Sequence, residues 1–253
     1  MKRLIARLDI KSEFLIKGIR FEGLKKIGDP VEAASQYYDD GVDELLLVDT
    51  VASLFGRNHL GSILENVAKR AFVPLTAAGG IRSLRDAEEL FGLGADKVAV
   101  NTASFANPKL ISEIANKFGA QAVVGSVHAK RGLDDWECLT EQGRERTGIT
   151  VKNRIHHLID MGAGEILITS VDNDGVQGGF DIPLTEMASE TSTVPITIGG
   201  GAGVGQDILD LMGIDKLSGV AIGSLLHFHT LSVRDLKAIL QNDEHDQGAH
   251  SAN

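Results

Sequence analysis

The stretch VPLTAAGGIRS, residues 73–83, joins a short apolar run to a glycine pair, and Ser83 then opens the amphipathic segment SLRDAEELFGLGA. Read locally, this is a strand that turns directly into a helix. The next apolar run, KVAVNT from Lys97, follows at once. Working outward, the same alternation fills the chain. Before it lie LIARLDI from Leu4 and ELLLVDT from Glu44; after it come AVVGSVHA from Ala122, EILITSVD from Glu165, VPITIGGG from Val194 and GVAIGSLL from Gly219. These runs are near-continuously apolar, as expected for parallel strands covered on both faces. Between them, segments such as PVEAASQYYDDG, NPKLISEIANKFGA and VKNRIHHLIDMGAG carry apolar residues at helical spacing and stop at glycine. Eight strand–helix units in 253 residues predict a (β/α)8 TIM barrel. The alternative, an open doubly wound sheet, usually carries a glycine-rich turn after its first strand, and LDIKSEF has none.

The halves of the chain echo each other. VPLTAAGGIRS matches VPITIGGGAGV at 194–204, KVAVNTAS matches GVAIGSLL, and Asp9 and His128 close the first and fifth strands. The offset, about 120 residues each time, predicts a two-fold repeat of half-barrels with two similar sites. One domain over residues 1–241 is expected. The polar, aperiodic segment 242–253 predicts a disordered tail.

Composition narrows the function. A net charge of −10 argues against a general nucleic-acid surface, which needs a basic face. No apolar run nears the roughly 20 residues of a membrane span, and MKRLIARLDI carries charge too early for a signal peptide. The single cysteine, Cys138, allows no intrachain disulfide and fits a cytoplasmic protein. Nothing in the sequence calls for a metal or a cofactor.

In a barrel of this kind, chemistry sits at the C-terminal strand ends. Two groups of residues fall there. Gly80, Asn101 and Thr102 in one half answer Gly201, Gly223 and Ser224 in the other. Glycine lets backbone N–H groups approach a ligand, so the duplication predicts two phosphate sites and an elongated ligand with a phosphate at each end. The plainer reading is that these glycines only make tight turns. The second group is Asp9 and His128, facing each other and suited to general acid–base work. With an ordinary histidine pKa near 6.5, His128 is expected to exchange a proton near neutral pH. The plainer roles are a capping carboxylate and a hydrogen-bonded core histidine.

Taken together, LDIK, IKGIRFEGL, GDPVE, DELLLVD, GGIRS, GADKVAVNTAS, GAGEILITS, DNDG and GGAG resemble the cyclase subunits of imidazole glycerol phosphate synthase, from about Arg3 to Phe228. The resemblance implies a barrel that binds a bisphosphorylated ribulosyl–aminoimidazole intermediate. It implies that ammonia from a glutaminase partner, docked at the opposite end in a heterodimer, is added to that intermediate. The products are then imidazole glycerol phosphate and an aminoimidazole ribotide. On this resemblance Asp9 is the first catalytic aspartate, and Lys17 lies in a mobile first loop. Gly80, Asn101 and Thr102 form one phosphate site, and Asp174, Gly175, Gly201, Gly203, Gly223 and Ser224 form the other. Arg3, Glu44, Lys97 and Glu165 form a charged gate to an ammonia tunnel; simple salt bridging is the plainer role.

The chain departs from the family pattern at the substrate end. His128 stands where a second catalytic aspartate is usual, and Arg7 where a cysteine is usual. Ala78, Val176 and Gly199 replace a glycine, a threonine and a serine. These departures resemble family paralogues that supply ammonia for amidination of bacterial surface sugars. A non-catalytic ammonia conduit is the third possibility.

Overall fold

The computed structural model describes residues 2–52 and 60–250, with side chains described to Leu240 and Gln241. Its strands are β1 (Arg3–Lys11), β2 (Phe14–Ile19), β3 (Glu22–Gly28), β4 (Glu44–Asp49), β5 (Leu75–Ala78) and β6 (Lys97–Val100). They continue as β7 (Val123–Arg131), β8 (Trp136–Thr140), β9 (Glu145–Thr150), β10 (Glu165–Ser170), β11 (Ile196–Gly199) and β12 (Leu217–Ile222). Eight of these close into a parallel ring, in the order β1-β4-β5-β6-β7-β10-β11-β12, with β12 pairing back onto β1. Helices α1 (Pro30–Asp39), α2 (Leu60–Ala68), α3 (Leu84–Gly92), α4 (Ala103–Ala106) and α5 (Lys109–Phe118) serve the first half. The second half has α6 (Val151–Asp160), α7 (Ile182–Thr191), α8 (Gln206–Leu209), α9 (Ser224–His227) and α10 (Val233–His250). This is the (β/α)8 barrel that the apolar runs predict.

Local chemistry starts the helices where the sequence does. Asp29 caps α1 by accepting from Val31 and Glu32 N–H, with Pro30 in the first turn. Ser83 and Asp86 form a reciprocal capping box on α3. Each strand alternates its side chains between two environments. Leu4, Ala6, Leu8 and Ile10 of β1 join the large outer core under the helices, whereas Ile5 joins a small inner core with Leu46, Val124 and Leu167. Ile5, Arg7 and Asp9 therefore share the inner face of β1.

The half-barrel repeat extends to features the apolar runs do not show. β1 is followed by the antiparallel hairpin β2–β3, and β7 by the hairpin β8–β9. Lys17 lies within strand β2, not in an irregular loop. The repeat also aligns side chains. Asp9 pairs in register with Val48, and His128 with Thr169; two residues earlier, Arg7 faces Leu46 and Ser126 faces Leu167. Arg7 thus occupies in one half the position that Ser126 holds in the other.

The backbone of 242–250 is helical, continuing α10 to His250, and 251–253 lie outside the described residues. Val233, Leu236 and Leu240 bury the start of this helix, and extending an existing helix avoids the cost of nucleation, so polar residues continue it. Among the described residues, no helix is long and apolar enough to cross a membrane.

Candidate active site

Three layers occupy the barrel interior. At the strand N-termini, Arg3 bridges Glu44 and Glu165 at 2.6 Å each, and Lys97 bridges the same two carboxylates at 2.9 Å each. The four charges form a closed ring. Thr76 and Thr197, equivalent positions in the two halves, each donate to one glutamate at 2.7 Å, to Glu44 and Glu165 respectively. Burial alone would raise the Glu165 pKa, but Lys97 and Arg3 hold it below the usual range. Above this ring lies the apolar layer of Ile5, Leu46, Val124 and Leu167. The third layer is the mouth.

At the mouth, Asp9 is buried and accepts from Arg7 Nε at 2.8 Å and from Lys17 Nζ at 3.1 Å. Lys17 also donates to both oxygens of Asp174, at 3.0 and 3.2 Å. Burial would raise the Asp9 pKa, but Arg7 and Lys17 outweigh it and hold the carboxyl far below the ordinary range. Asp9 is therefore ionised at neutral pH, with both oxygens engaged. Lys11, the lysine nearest to Asp9 in the sequence, is exposed, and Asp9 pairs with Lys17 instead.

Arg7 connects this cluster to the other half. Its Nη1 donates to Thr169 Oγ1 at 3.0 Å, and its guanidinium carbon lies 5.7 Å from the centre of the Phe21 ring. Its backbone is held from behind. His227 Nε2 lies 2.9 Å from the Arg7 carbonyl, which can only accept, so Nε2 carries the proton. Nδ1 then accepts from the Tyr37 hydroxyl at 2.7 Å. Burial depresses the His227 pKa to about 4, in keeping with a neutral ring.

His128 stacks edge-on to Phe21, with ring centres 4.9 Å apart. The expectation of proton exchange near pH 7 is overturned: burial, reinforced by the Arg7 charge, lowers its pKa to about 3. The ring is neutral. Its Nδ1 is buried with no hydrogen-bond partner among the described residues.

The two groups of turn residues line two separate cavities. Gly80, Asn101, Thr102, Ser126 and His128 border one of about 260 Å³. Lys17, Asp174, Gly175, Gly201, Gly223 and Ser224 border another of about 10 Å³. Gly203 borders neither; its N–H is taken by Asp207 at 2.7 Å. The glycine turns also serve the backbone. A Cβ on Gly79 would meet the Asp49 carbonyl at 2.2 Å, and one on Gly200 the Ser170 carbonyl at 2.7 Å. The buried Ser224 Oγ and Asn101 Oδ1 have no partner among the described residues. Thr102 Oγ1 instead accepts from the Glu141 N–H at 3.1 Å, which pins the β8–β9 turn. Among the described residues, no group of three or more His, Cys, Asp or Glu side chains is placed to hold a metal ion.

Sequence reading marks Arg7 as a departure but not as a hub, and it misses Phe21, Thr76, Thr197, Tyr37 and His227 as participants. The threonines carry a readable signal, because they stand at matching places in the two repeats.

Comparison with known proteins places this geometry. The family of histidine biosynthesis proteins matches residues 3–232. The chain is 51% identical over 202 residues to the imidazole glycerol phosphate synthase subunit HisF of Legionella pneumophila, covering 79% of this chain and 95% of that one. It is 40% identical over 241 residues to the same subunit of Streptococcus sanguinis strain SK36, covering 95% and 96%. For the subunit of Prochlorococcus marinus strain MIT 9312 the identity is 41% over 241 residues, covering 94% of each.

Proposed function

The chain belongs to the histidine biosynthesis protein family, as a HisF-type barrel, and on that premise we propose that it is the ammonia-using subunit of a two-protein synthase. A glutaminase docks at the strand N-termini and releases ammonia there. The ammonia crosses the ring of Arg3, Glu44, Lys97 and Glu165 and the apolar layer above it, and reacts at the mouth with a phosphorylated small molecule. The working unit is one barrel domain, residues 1–241. The observation that carries this reading is the closed ionic ring, stacked under an apolar layer that leads to Asp9. A ring serving stability alone has no reason to sit on the axis below an acid–base cluster.

The first reading of the chemistry is the histidine-pathway reaction. Ammonia adds to the bisphosphorylated ribulosyl intermediate, which is cyclised and cleaved to imidazole glycerol phosphate and aminoimidazole carboxamide ribotide. Asp9 and Lys17 are the candidate proton-handling groups, and the residues around Gly80 and Gly201 are the candidate phosphate sites. A second reading is favoured by Arg7 and the neutral His128 at the centre of the mouth. In it, the chain is a paralogue that delivers ammonia for amidination of a surface sugar.

The test is steady-state turnover of the ribulosyl intermediate by the isolated chain with ammonium chloride, and by the chain with its glutaminase and glutamine. Turnover at roughly 1–1000 per second supports the first reading. No turnover of this substrate, with glutaminase binding retained, supports the second. A chain that binds no glutaminase and consumes no ammonia overturns the proposal.

A further inference from the structure

The charge at the centre of the mouth differs from the family pattern in one direction. Arg7 stands where a cysteine is usual and adds a positive charge, and His128 stands where an aspartate is usual and takes a negative one away. The structure brings these two departures together. Arg7 Nη1 donates to Thr169 Oγ1 at 3.0 Å, and Thr169 is the register partner of His128. Phe21 covers both: its ring centre is 4.9 Å from that of His128 and 5.7 Å from the Arg7 guanidinium carbon. Between β1 and β10 in the ring of strands lie β12 and β11. These strands carry Ala221 and Gly199, small residues that leave room for the arginine to reach across.

The arginine is held but not saturated. Its Nε is engaged by Asp9 and its Nη1 by Thr169, while Nη2 makes no hydrogen bond to a described residue. Arg7, Ser126 and His128 all border the cavity of about 260 Å³. His128 is 7% exposed, and its Nδ1 has no partner among the described residues. An N–H of Arg7, the Ser126 hydroxyl and the one N–H of a neutral imidazole are thus three donors around one space. Val48, Ala78, Ala99 and Leu167 of the apolar layer border it too, so the donors stand where the ammonia route opens. They come from β1 and β7, whereas the glycine turns follow β5, β6, β11 and β12.

The surrounding charges permit an anion here. Arg7 and Lys17 are matched by Asp9 and Asp174, and at the cavity Arg82 and Glu141 carry opposite charges. With the usual cysteine and aspartate, the buried cluster would hold Lys17 alone against three carboxylates, and a further anion would be repelled. With Arg7 and His128 it is balanced, and a ligand anion meets a guanidinium rather than a carboxylate.

We propose that Arg7, Ser126 and His128 form a carboxylate subsite at the centre of the mouth, and that the ligand to which ammonia is delivered in this chain is a sugar acid. A carboxylate suits the donors because its two oxygens can be shared, one toward the guanidinium and one toward the β7 side chains. It serves as a handle: it is held, and no bond to it forms or breaks. The inference deepens the second functional reading, in which the ligand is a surface sugar, and rests on that reading. It assigns Arg7 a specificity role.

The test is calorimetric titration of the full chain with glucuronic acid 1-phosphate and glucose 1-phosphate, which differ only in the carboxylate at C6. The wild type is expected to bind the uronate at least about tenfold more tightly, the gain from one charge-assisted hydrogen bond or more. Arg7→Met is expected to bring the two affinities to within about twofold of each other, and Arg7→Lys to keep part of the preference. His128→Asp is expected to weaken the uronate at least fivefold while leaving glucose 1-phosphate within about twofold of its wild-type affinity, because the added carboxylate repels only the acid. A wild-type preference below tenfold, or binding of neither sugar at millimolar concentration, overturns the proposal. So does a folded Arg7→Met variant that keeps the wild-type preference. The wild-type ratio decides the matter even where a variant fails to fold. No ammonia or glutaminase enters these titrations. A missing preference beside intact glutamine-driven ammonia use would therefore count against the subsite alone, and a clear preference without ammonia use against the functional reading alone.

Discussion

Arg7 and Thr169 are joined across the barrel mouth by a hydrogen bond of 3.0 Å, although β1 and β10 are not neighbours in the sheet. In the repeat, the counterpart of Arg7 is Ser126 and that of Thr169 is Val48, a pair that can form no such bond. The fold is symmetric and the site is not. A single side chain, anchored at Asp9 and Thr169, borders the cavities of both halves and has no equivalent across the repeat.

Arg7→Ser makes the two halves alike at this position. Asp9 keeps Lys17, so its charge is not left alone, and the expected loss of stability is about 1–3 kcal/mol, below the range for orphaning a buried charge. Urea unfolding measures it. A loss of 5 kcal/mol or more would mean that Lys17 does not compensate Asp9.

Asp9→Asn removes the anion that both Arg7 and Lys17 face. Turnover is expected to fall by about 100-fold or more if Asp9 handles a proton. Stability changes with a definite sign. The folded pKa of Asp9 is depressed, so its contribution is complete above the unfolded value of about 3.9 and is lost as pH falls through the lower folded value. Asp9→Asn should therefore destabilise the chain most at neutral pH and flatten its acid limb below about pH 4. An unchanged acid limb in urea titrations at several pH values would remove Asp9 from this role.

How much of this was legible beforehand follows from where each signal lies. Eight strands were readable because parallel strands are apolar on both faces, and the repeat was readable because glycine turns such as Gly79 and Gly200 tolerate no substitute. The hairpins at 14–28 and 136–150 were not. β3 is almost wholly exposed, so FEGLKKIG carries no apolar period to mark it. Arg7 is visible in the sequence as a departure from the family pattern, but only the closed ring of strands brings Thr169 within its reach. His128 is legible from its place at a strand end, but its protonation is not, because burial and the neighbouring Arg7 leave no trace in the sequence. Arg154 sits on the apolar face of α6, packed on Phe105 and Ser104, and that no carboxylate among the described residues pairs with it shows only after folding.

The ionic ring gives a prediction that separates gating from stability. Lys97→Ala leaves Glu44 and Glu165 sharing Arg3 alone. If the ring admits ammonia, glutamine-driven turnover should fall several-fold more than turnover driven by ammonium chloride, which can enter from the mouth. Parallel assays with the two nitrogen sources make the comparison. Equal losses would reduce the ring to a structural element. A matching result is expected for Thr76→Val, which removes the hydroxyl that orients Glu44 without altering charge.

His128 offers the last prediction, because its environment fixes both its charge and the effect of replacing it. Its folded pKa is depressed to about 3, against about 6.5 in the unfolded chain. Between those values the unfolded state binds the extra proton, so stability should rise with pH across that window and level off above about 6.5. The slope approaches roughly 1.4 kcal/mol per pH unit mid-window, and His128→Asn, which cannot take up the proton, should abolish that part of it. Catalysis should respond differently. A neutral imidazole beside Arg7 is a poor substitute for a carboxylate, so wild-type turnover of the ribulosyl bisphosphate intermediate is expected to be low. His128→Asp places an anion next to the Arg7 guanidinium, where it competes with Asp9 for that cation and draws it away from Asp9 Oδ1. The substitution should raise turnover of that intermediate, and His128→Asp combined with Arg7→Cys, which also removes the guanidinium that reaches across the mouth to Thr169, should raise it further. Steady-state assays with ammonium chloride on the three proteins decide this. Rapid turnover by the wild type, with no gain in either variant, would show that the neutral His128 already serves the reaction and that Arg7 does not impede the longer substrate.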